Sequence, residues 1–268
     1  MRKSVFIPLA GFLALISAAV SPTAAQSANQ NGGAKPHVST PPPRAVSTAA
    51  DSGSFTVSQL GHAVGTAEFR IVSSPSGYDS TSTVKVSMQG LDYALSKTEQ
   101  LDASRHLVHV ILSAAVNNQA VNVSGKPDSG NFLLNISANG RSSTTRVAGH
   151  AGAVFLPDFD PGSLQTLLTL AEAQNGRDLW VIIPKQVGSI EAVQLATYPD
   201  EQGTFDGKPV AVHHVVATFS DADTDLFVGP ENQLLQAELP QQGFSLTRKG
   251  FVLIPPKRPG AAPPAPSQ

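Results

Sequence analysis

The sequence predicts a mainly β fold (β-rich α+β) in which a curved antiparallel sheet, or half-barrel, wraps around one mid-chain helix. Three observations predict it: β-branched segments recur between residues 54 and 254, turn dipeptides separate them, and one apolar stripe of helical period interrupts them. The chain has no cysteine, so the fold must depend on a packed apolar core. A domain of about 200 residues can build one, since it buries roughly 70% of its unfolded surface.

The strand predictions are based on runs rich in Val, Ile, Thr and Phe. Tight turns divide the runs: Asn139-Gly140 and Asp206-Gly207 supply the positive φ of two-residue hairpins, so neighbouring strands should be antiparallel. The predicted strands are 54–60, 63–73, 80–88, 105–115, 118–124, 131–138, 142–148, 178–183, 189–198, 209–219, 224–228, 233–239 and 243–253.

Residues 160–176 are predicted to form the helix. Asp160 fits the N-cap, Pro161 the first helical position and Gly176 the stop. An apolar stripe at positions i, i+3, i+4 and i+7 would face the sheet: Leu164, Leu167, Leu168 and Ala171.

The first residues have the organisation of an export signal. A positive start at residues 1–3 precedes an apolar run from Val5 to Val20, and small residues lead to Ala25. We expect cleavage after Ala25, which leaves a periplasmic or secreted protein with no transmembrane segment and no lipid anchor. The alternative, an uncleaved anchor, needs roughly 20 apolar residues to span a membrane, and this run is shorter.

The remaining chain divides by composition into a linker, a domain and a tail. Residues 26–53 and 255–268 are rich in Pro, Gly and Ser and are expected to be disordered. Residues 54–254 are expected to form one β-rich, half-barrel-like domain. The formal net charge is −2 and 14% of residues are charged, with no basic face, so we expect no nucleic-acid partner.

The helix start and two hairpins carry a family resemblance. The Asp-Pro-Gly start with its Leu stripe (160–171), the hairpin at 204–219 and the closing pair of strands at 226–248 follow one another in order. This order resembles the half-barrel of the periplasmic lipoprotein-carrier family and of uncharacterised bacterial envelope families built like it. The resemblance implies a curved sheet around a lid helix and an apolar cavity. It implies no particular functional residue, because the family's function lies in the shape of the cavity.

No motif predicts a catalytic residue, a cofactor or a metal. His106 with His109, and His213 with His214, are separated by odd numbers of residues, so a regular strand puts each pair on opposite faces. A cross-strand pair such as His109 with His213 stays open.

Two acidic motifs fail closer tests. The loop at 221–232 lacks the Gly and the Glu that a calcium-binding EF-hand requires at its sixth and twelfth positions. The triplet 51–53 (Asp-Ser-Gly) matches the signature of aspartic proteases but lies in the expected linker, not after an apolar strand.

The leading functional hypothesis is a non-catalytic periplasmic protein that binds or carries an apolar or lipid-like ligand. Strands 105–115 and 209–219 are apolar on both alternating sets, so both of their faces should be covered, and an apolar cavity is one possible cover. The alternatives are an envelope module that binds a protein partner and no ligand, and a hydrolase with an unrecognised site. The expected cavity-lining residues are Leu164, Leu167, Leu168, Val212, Phe219 and Phe132.

Overall fold

The computed structural model of the protein describes residues 49–184 and 188–255. The expected signal at 1–25, the linker up to residue 48 and the tail from residue 256 lie outside the described residues. In the part that is described, no helix is both long and apolar enough to cross a membrane.

The described ranges form eighteen strands and one helix. The helix is α1 (Pro161–Ala173). The strands are β1 (Ala49–Gln59), β2 (His62–Ser74), β3 (Gly77–Met88), β4 (Leu91–Leu101), β5 (Leu107–Val116), β6 (Gln119–Asp128), β7 (Asn131–Ala138), β8 (Arg141–Ala148), β9 (Ala153–Phe155), β10 (Trp180–Ile183), β11 (Ser189–Ala192), β12 (Gln194–Thr197), β13 (Glu201–Phe205), β14 (Lys208–Phe219), β15 (Ala222–Val228), β16 (Leu234–Leu239), β17 (Phe244–Arg248) and β18 (Phe251–Ile254).

Fifteen strands form one open antiparallel sheet, in the order β18-β13-β14-β15-β16-β17-β1-β2-β3-β4-β5-β6-β7-β8, with β12 also paired to β14. β1 joins the two halves, because it pairs with β17 on one side and β2 on the other. The mainly β fold with one mid-chain helix is therefore confirmed. The predicted hairpin turns are confirmed as well: Asn139 and Gly140 have φ of 53° and 72°, and Asp206 and Gly207 have φ of 49° and 75°.

The strands from β1 to β8 have one buried face and one exposed face, which we call the inner and outer faces. β2 shows the alternation: Ala67, Phe69 and Ile71 point inward and are buried, whereas Glu68 and Arg70 point outward into solvent. This period of two is what a half-buried strand requires. The inner face supplies most of the main apolar core.

A small unit that we call the cover (β9, α1, β10 and β11) lies on the inner face. β9 and β10 are parallel and β11 is antiparallel to β10, so these strands form a separate three-stranded sheet. α1 connects the two parallel strands and contacts β1, β2, β3 and β16 of the main sheet, while β9 contacts β5 and β11 contacts β8. The cover therefore lies against main-sheet strands on both sides of β1.

The start and stop of α1 follow the prediction. The Asp160 carboxylate accepts hydrogen bonds from the backbone N–H groups of Gly162 (2.9 Å) and Ser163 (3.4 Å). These are two of the donors left free at the helix start, where Pro161 has no N–H. Gly176, with φ of 69°, donates its N–H to the Ala171 carbonyl at 2.7 Å and closes the last turn. Burial of the leucines stabilises the docked helix by about 1.5–3 kcal/mol each.

Several element bounds differ from the prediction. β1 begins at Ala49, inside the expected linker, because the backbone there already pairs with β2. The predicted strand 243–253 is divided into β17 and β18 by a turn at Gly250, which has φ of 85°. The predicted strand 189–198 is divided at Val193 into β11 of the cover and β12 of the main sheet.

The prediction that β5 is covered on both faces is wrong. Its outer residues Val108 and Ile111 are 44% and 48% exposed, since the cover lies only on the inner face. In β14 the prediction holds for one stretch, where the adjacent residues Val216 and Ala217 are both buried.

Candidate functional site

The six residues expected to line a cavity lie in closely packed apolar clusters. Phe219 is half-buried against the main core, and Val212 belongs to a second, smaller cluster. The other four are buried members of the main core: Leu164, Leu167, Leu168 and Phe132.

Val212 is separated from the other five by the sheet itself. It packs with Phe227, Leu235 and Phe251. Leu234 belongs to the main core and the next residue, Leu235, to the second cluster, and consecutive strand residues point to opposite faces. The structure therefore does not bring Val212 together with the residues beneath α1.

The inner face carries one polar group among its apolar side chains, which we call the polar island (Ser80, Ser82, Lys97 and Glu99). Ser80 pairs across the strands with Glu99, and Ser82 with Lys97. All four residues are buried. A buried lysine and glutamate are rare unless they are paired.

The cover provides the partners of the polar island from the start of α1. The Lys97 Nζ lies 2.6 Å from the Asp160 Oδ2 and 2.9 Å from the Glu99 Oε2, and these three side chains are 0%, 0% and 1% exposed. The same Nζ donates to the Ser163 Oγ at 2.5 Å. Ser163 donates in turn to the Phe155 carbonyl at 2.6 Å or the Asp160 Oδ2 at 2.8 Å. Asp160 is therefore both the N-cap of α1 and the counter-ion of the buried Lys97.

Burial and pairing set the charges of this cluster. Burial alone would raise the pKa of Asp160, but the Lys97 ammonium outweighs it and, with neighbouring hydroxyls, holds that pKa below its usual range. Burial alone would lower the pKa of Lys97, but the Asp160 and Glu99 carboxylates raise it. Burial raises the pKa of Glu99, and Lys97 offsets this only in part. At neutral pH, Lys97 and Asp160 form the central ion pair.

Four atoms of the polar island form no hydrogen bond within the described residues, and the Glu99 Oε2 among them is in ion-pair contact with Lys97. The Ser80 Oγ and the Glu99 Oε1 are two of the four, and both are fully buried. An unpaired buried polar atom is unfavourable by about 1–3 kcal/mol. The cluster is therefore not optimised as a closed structural salt bridge.

The sequence prediction missed the strand that carries Lys97 and Glu99. β4 (LDYALSKTEQL) has few β-branched residues, and no strand was predicted over 91–101. The available signal was alternation: Leu91, Tyr93, Leu95 and Leu101 share one face, and Lys97 and Glu99 occupy the two remaining positions of that face. Two ionisable residues on an apolar face mark the site.

Ser163 and Lys97 have the spacing of a Ser–Lys pair, which bears on the hydrolase alternative. In such a pair, a neutral lysine takes the proton of the attacking serine. Here two carboxylates hold Lys97 in its charged form, and the serine hydroxyl is fully buried. In this arrangement Lys97 is the counter-ion of Asp160.

The ionisation of Glu99 gives a testable pH dependence. Because the folded protein binds the Glu99 proton more tightly than the unfolded chain does, stability should fall as pH rises from about 4.5 through the raised pKa. Each tenfold difference in proton affinity corresponds to about 1.4 kcal/mol. The Glu99→Gln variant has no side chain at this position that can ionise. As pH rises above about 4.5, the free energy of unfolding of the variant should therefore increase relative to that of the wild type. Urea unfolding from about pH 4.5 to pH 8 measures the difference.

Glu231→Gln is the matched control for this experiment, because Glu231 is exposed. Its free energy of unfolding should stay within about 0.5 kcal/mol of the wild-type value. A difference between Glu99→Gln and the wild type that does not change with pH would mean that burial does not raise the pKa of Glu99.

Hydrogen bonds also hold the far side of α1 against the loop before β16. The Gln165 Oε1 accepts from the Leu234 backbone N–H at 2.7 Å, and its Nε2 donates to the Asn232 carbonyl at 2.9 Å. The Asn232 Nδ2 donates to the Leu168 carbonyl at 3.2 Å and to the Glu172 Oε2 at 2.9 Å. Side chains of α1 and of this loop therefore attach the helix to the main sheet.

The histidines of β14 point to opposite faces, as predicted. His213 pairs with Asp200 at 2.9 Å, whereas His214 contacts Asp225 at 2.8 Å and Glu201 at 3.5 Å. In the described part of the chain, no group of three or more His, Asp or Glu residues is arranged to hold a metal ion.

The two acidic motifs of the sequence also have structural partners. Asp51 lies in β1 rather than in a linker, with one oxygen 3.9 Å from the Arg248 guanidinium. Asp221 forms the β14–β15 turn with a φ of 57°, and Asp223 accepts a hydrogen bond from Thr218 at 2.7 Å.

Among the open clefts of the described residues, two lie across neighbouring strands between β2 and β8. One, of about 450 Å³, includes Thr66, Lys85 and Ala94. The other, of about 290 Å³, is lined mainly by hydroxyl and amide side chains of β5 to β8, such as Asn122 and Asn135. Neither includes the polar island or the leucines of α1.

Among solved structures, the chain is similar to a protein of the DUF1089 family from Pseudomonas aeruginosa, with 11% identity and a TM-score of 0.38. The similarity covers 66% of this chain and 90% of that chain. The sequence matches no protein-family model and no curated protein. A similarity at this TM-score carries no argument about function, and the resemblance to the lipoprotein-carrier family stays a prediction.

Proposed function

We propose that this protein is a non-catalytic carrier that binds an apolar or lipid-like ligand between the inner face of its sheet and the cover. We propose further that it does so in the periplasm, as a half-barrel of the lipoprotein-carrier kind. One observation carries the proposal: an apolar inner face made by β1 to β8 and β15 to β17 is covered by one helix and three short strands.

The attachment of the cover supports this proposal. Its strands pair with one another, and none of them pairs with the main sheet in the described ranges. Side chains hold it in place: the Asp160–Lys97 pair, the Gln165 and Asn232 hydrogen bonds, and apolar contacts. Such contacts can be exchanged for ligand contacts without breaking the main sheet. The apolar face of α1 then occupies, in the closed form, the space that a ligand takes in the open form.

Native mass spectrometry of the protein recovered from the periplasm of its host tests this proposal directly. We expect a co-purifying apolar molecule, identified after lipid extraction, and a chain that begins at Gln26. N-phenylnaphthylamine, a neutral apolar probe, should bind the ligand-free protein and be displaced by the extracted molecule. A ligand-free mass together with no probe binding would favour the envelope interaction module instead.

Weakening the attachment of the cover should strengthen ligand binding. Gln165→Ala removes the two hydrogen bonds that Gln165 makes with the Asn232 carbonyl and the Leu234 N–H, and it leaves the buried Leu234 N–H unpaired in the closed form. The two Asn232 hydrogen bonds to α1 remain. Loss of such a bond favours opening by about 1–3 kcal/mol, and the apparent affinity of an open-state ligand rises with the open fraction. We expect about tenfold tighter binding of N-phenylnaphthylamine, measured by fluorescence titration.

Gln100→Ala is the control for this experiment, because Gln100 is exposed on the outer side of β4. Its probe affinity should equal that of the wild type. Unchanged or weaker binding by a folded Gln165→Ala would show that the cover does not gate the site.

A further inference from the structure

We propose that the polar island is the head-group site of this carrier and that the ligand is an amphiphile with an anionic head, a carboxylate or a phosphate, bound to Lys97. The inference rests on the proposed function and names the class of ligand. In the closed form, the Asp160 carboxylate takes the place of the ligand's head group.

The surroundings of the polar island fit an amphiphile. Across the strands, Ser80 and Ser82 pair with Ile71 and Phe69 of β2. On the other side, Lys97 and Glu99 pair with Leu112 and Val110 of β5. These four neighbours on β2 and β5 are all buried apolar residues of the core. One small polar group within a broad apolar face matches a molecule with one polar head and an apolar chain.

The charges of the polar island favour an anion. Lys97 provides a cation on the main sheet, where it stays when the cover moves, whereas Asp160 belongs to the cover and moves with it. In the closed form the Lys97 ammonium contacts two carboxylates, Asp160 at 2.6 Å and Glu99 at 2.9 Å. Separation from Asp160 leaves only Glu99 in contact and frees one anion position beside the ammonium. A carboxylate or phosphate oxygen can replace the Asp160 Oδ2, now 2.6 Å from Nζ.

The unpaired atoms of the polar island support the same ligand. The Ser80 Oγ is a buried hydroxyl with no partner among the described residues, although a hydroxyl can donate one hydrogen bond. The Asp160 carboxylate already contacts Lys97, Ser163 and the start of α1. A ligand head free of the helix could bind Lys97 and receive the Ser80 hydrogen bond as well, which offsets the loss of Asp160.

The experiment compares head groups of the same chain length on the full mature protein. The probes are tetradecanoate, tetradecyl phosphate, tetradecanol and tetradecyltrimethylammonium, each below its micelle concentration, with acetate and inorganic phosphate as heads without a chain. Displacement of N-phenylnaphthylamine reports affinity. The two anionic amphiphiles should bind about ten- to a hundredfold more tightly than the alcohol, as expected for a hydrogen bond to a charged group. The ammonium amphiphile should bind least, and acetate and phosphate should not displace the probe.

Paired variants then separate the charge from the fold. Asp160→Asn keeps an N-cap side chain but removes the competing carboxylate, so anionic amphiphiles should bind more tightly than to the wild type. Lys97→Met/Asp160→Asn removes both charges together. Tetradecanol should still bind this variant, and the anionic amphiphiles should bind it about as tightly as tetradecanol does. Lys85→Met, on the exposed side of β3, should keep the full preference. Circular dichroism and urea unfolding establish that each variant is folded.

The outcomes distinguish this inference from the proposed function. If tetradecanol and tetradecyltrimethylammonium bind the wild type as tightly as tetradecanoate does, the head-group site is wrong and the carrier stands. A folded double variant that keeps the full anion preference would also overturn it. If no amphiphile binds the wild type or Gln165→Ala, the carrier and the head-group site both fail. If acetate or inorganic phosphate displaces the probe as tetradecanoate does, the site takes free anions and the amphiphile is wrong.

Discussion

Replacing Lys97 with methionine is expected to destabilise the protein by about 3–5 kcal/mol, because it leaves the buried Asp160 and Glu99 carboxylates without their counter-ion. Methionine fills a similar volume, so the loss comes from charge and not from a cavity. The two carboxylates can escape the penalty by taking up protons, and the deficit should therefore shrink as pH falls. Urea unfolding of the wild type and Lys97→Met at several pH values measures both effects.

Two variants control this experiment. Lys85→Met makes the same chemical change at an exposed position of β3 and should alter stability by about 0.5 kcal/mol or less. Lys97→Met/Glu99→Gln/Asp160→Asn removes all three charges and should recover most of the loss, since a neutral replacement of a buried ion cluster is often tolerated. A stable Lys97→Met with no pH dependence would mean that water reaches the cluster freely.

The start of α1 shows what sequence alone can predict well. Its N-cap, its first proline and its stop glycine act within a few residues of the positions they satisfy, so their pattern predicts the helix bounds. The Asn-Gly and Asp-Gly turns are local in the same way, and both hairpins follow from them. The identity of Asp160 as the partner of Lys97 is different. It depends on how the helix start docks on β4, more than sixty residues away, and no local pattern contains that.

β4 shows where strand prediction from residue type fails. The segment contains Asp, Ala, Lys and Glu, which are depleted in strands. Pairing with β3 and β5 on both sides overrides this propensity. Lys97 and Glu99 are two of the residues that made β4 look unlike a strand, and they also belong to the candidate site. Conflict between local preference and final structure is common at functional sites.

The Lys97–Asp160 pair can fix the position of the cover on the sheet although it adds little to the stability of the docked cover. Taking an ion pair out of water offsets much of its attraction, so the Lys97–Asp160 pair adds little net stability over an apolar contact of the same shape. It does penalise any wrong placement of α1, because a shifted helix would leave both charges buried and unpaired. In the proposed carrier, such a contact would return the cover to one position after each ligand exchange.

The second large effect is expected at Phe55, at the centre of β1. Its side chain is fully buried, and its ring centroid lies 6.1 Å from that of Phe69. Phe55→Ala should destabilise the protein by about 3–5 kcal/mol through lost burial and the cavity left behind, whereas Thr56→Ala, on the opposite side of β1, should cost about 1 kcal/mol or less. Urea unfolding measures both values, and a loss below about 1 kcal/mol for Phe55→Ala would contradict the close packing of this core.

The slope of the same unfolding curves tests whether β1 couples the two halves of the sheet. β1 pairs with β17 and β2, so the strands on its two sides should unfold together, and the dependence of the unfolding free energy on urea should be unchanged in Phe55→Ala. A clearly smaller slope, with two transitions, would mean that the halves unfold separately once the junction is weakened. Because α1 contacts β16 on one side of β1 and β2 and β3 on the other, separate unfolding would also detach the cover from half of its support. The proposed carrier therefore requires a cooperative sheet, so that the cover can open while the fold stays intact.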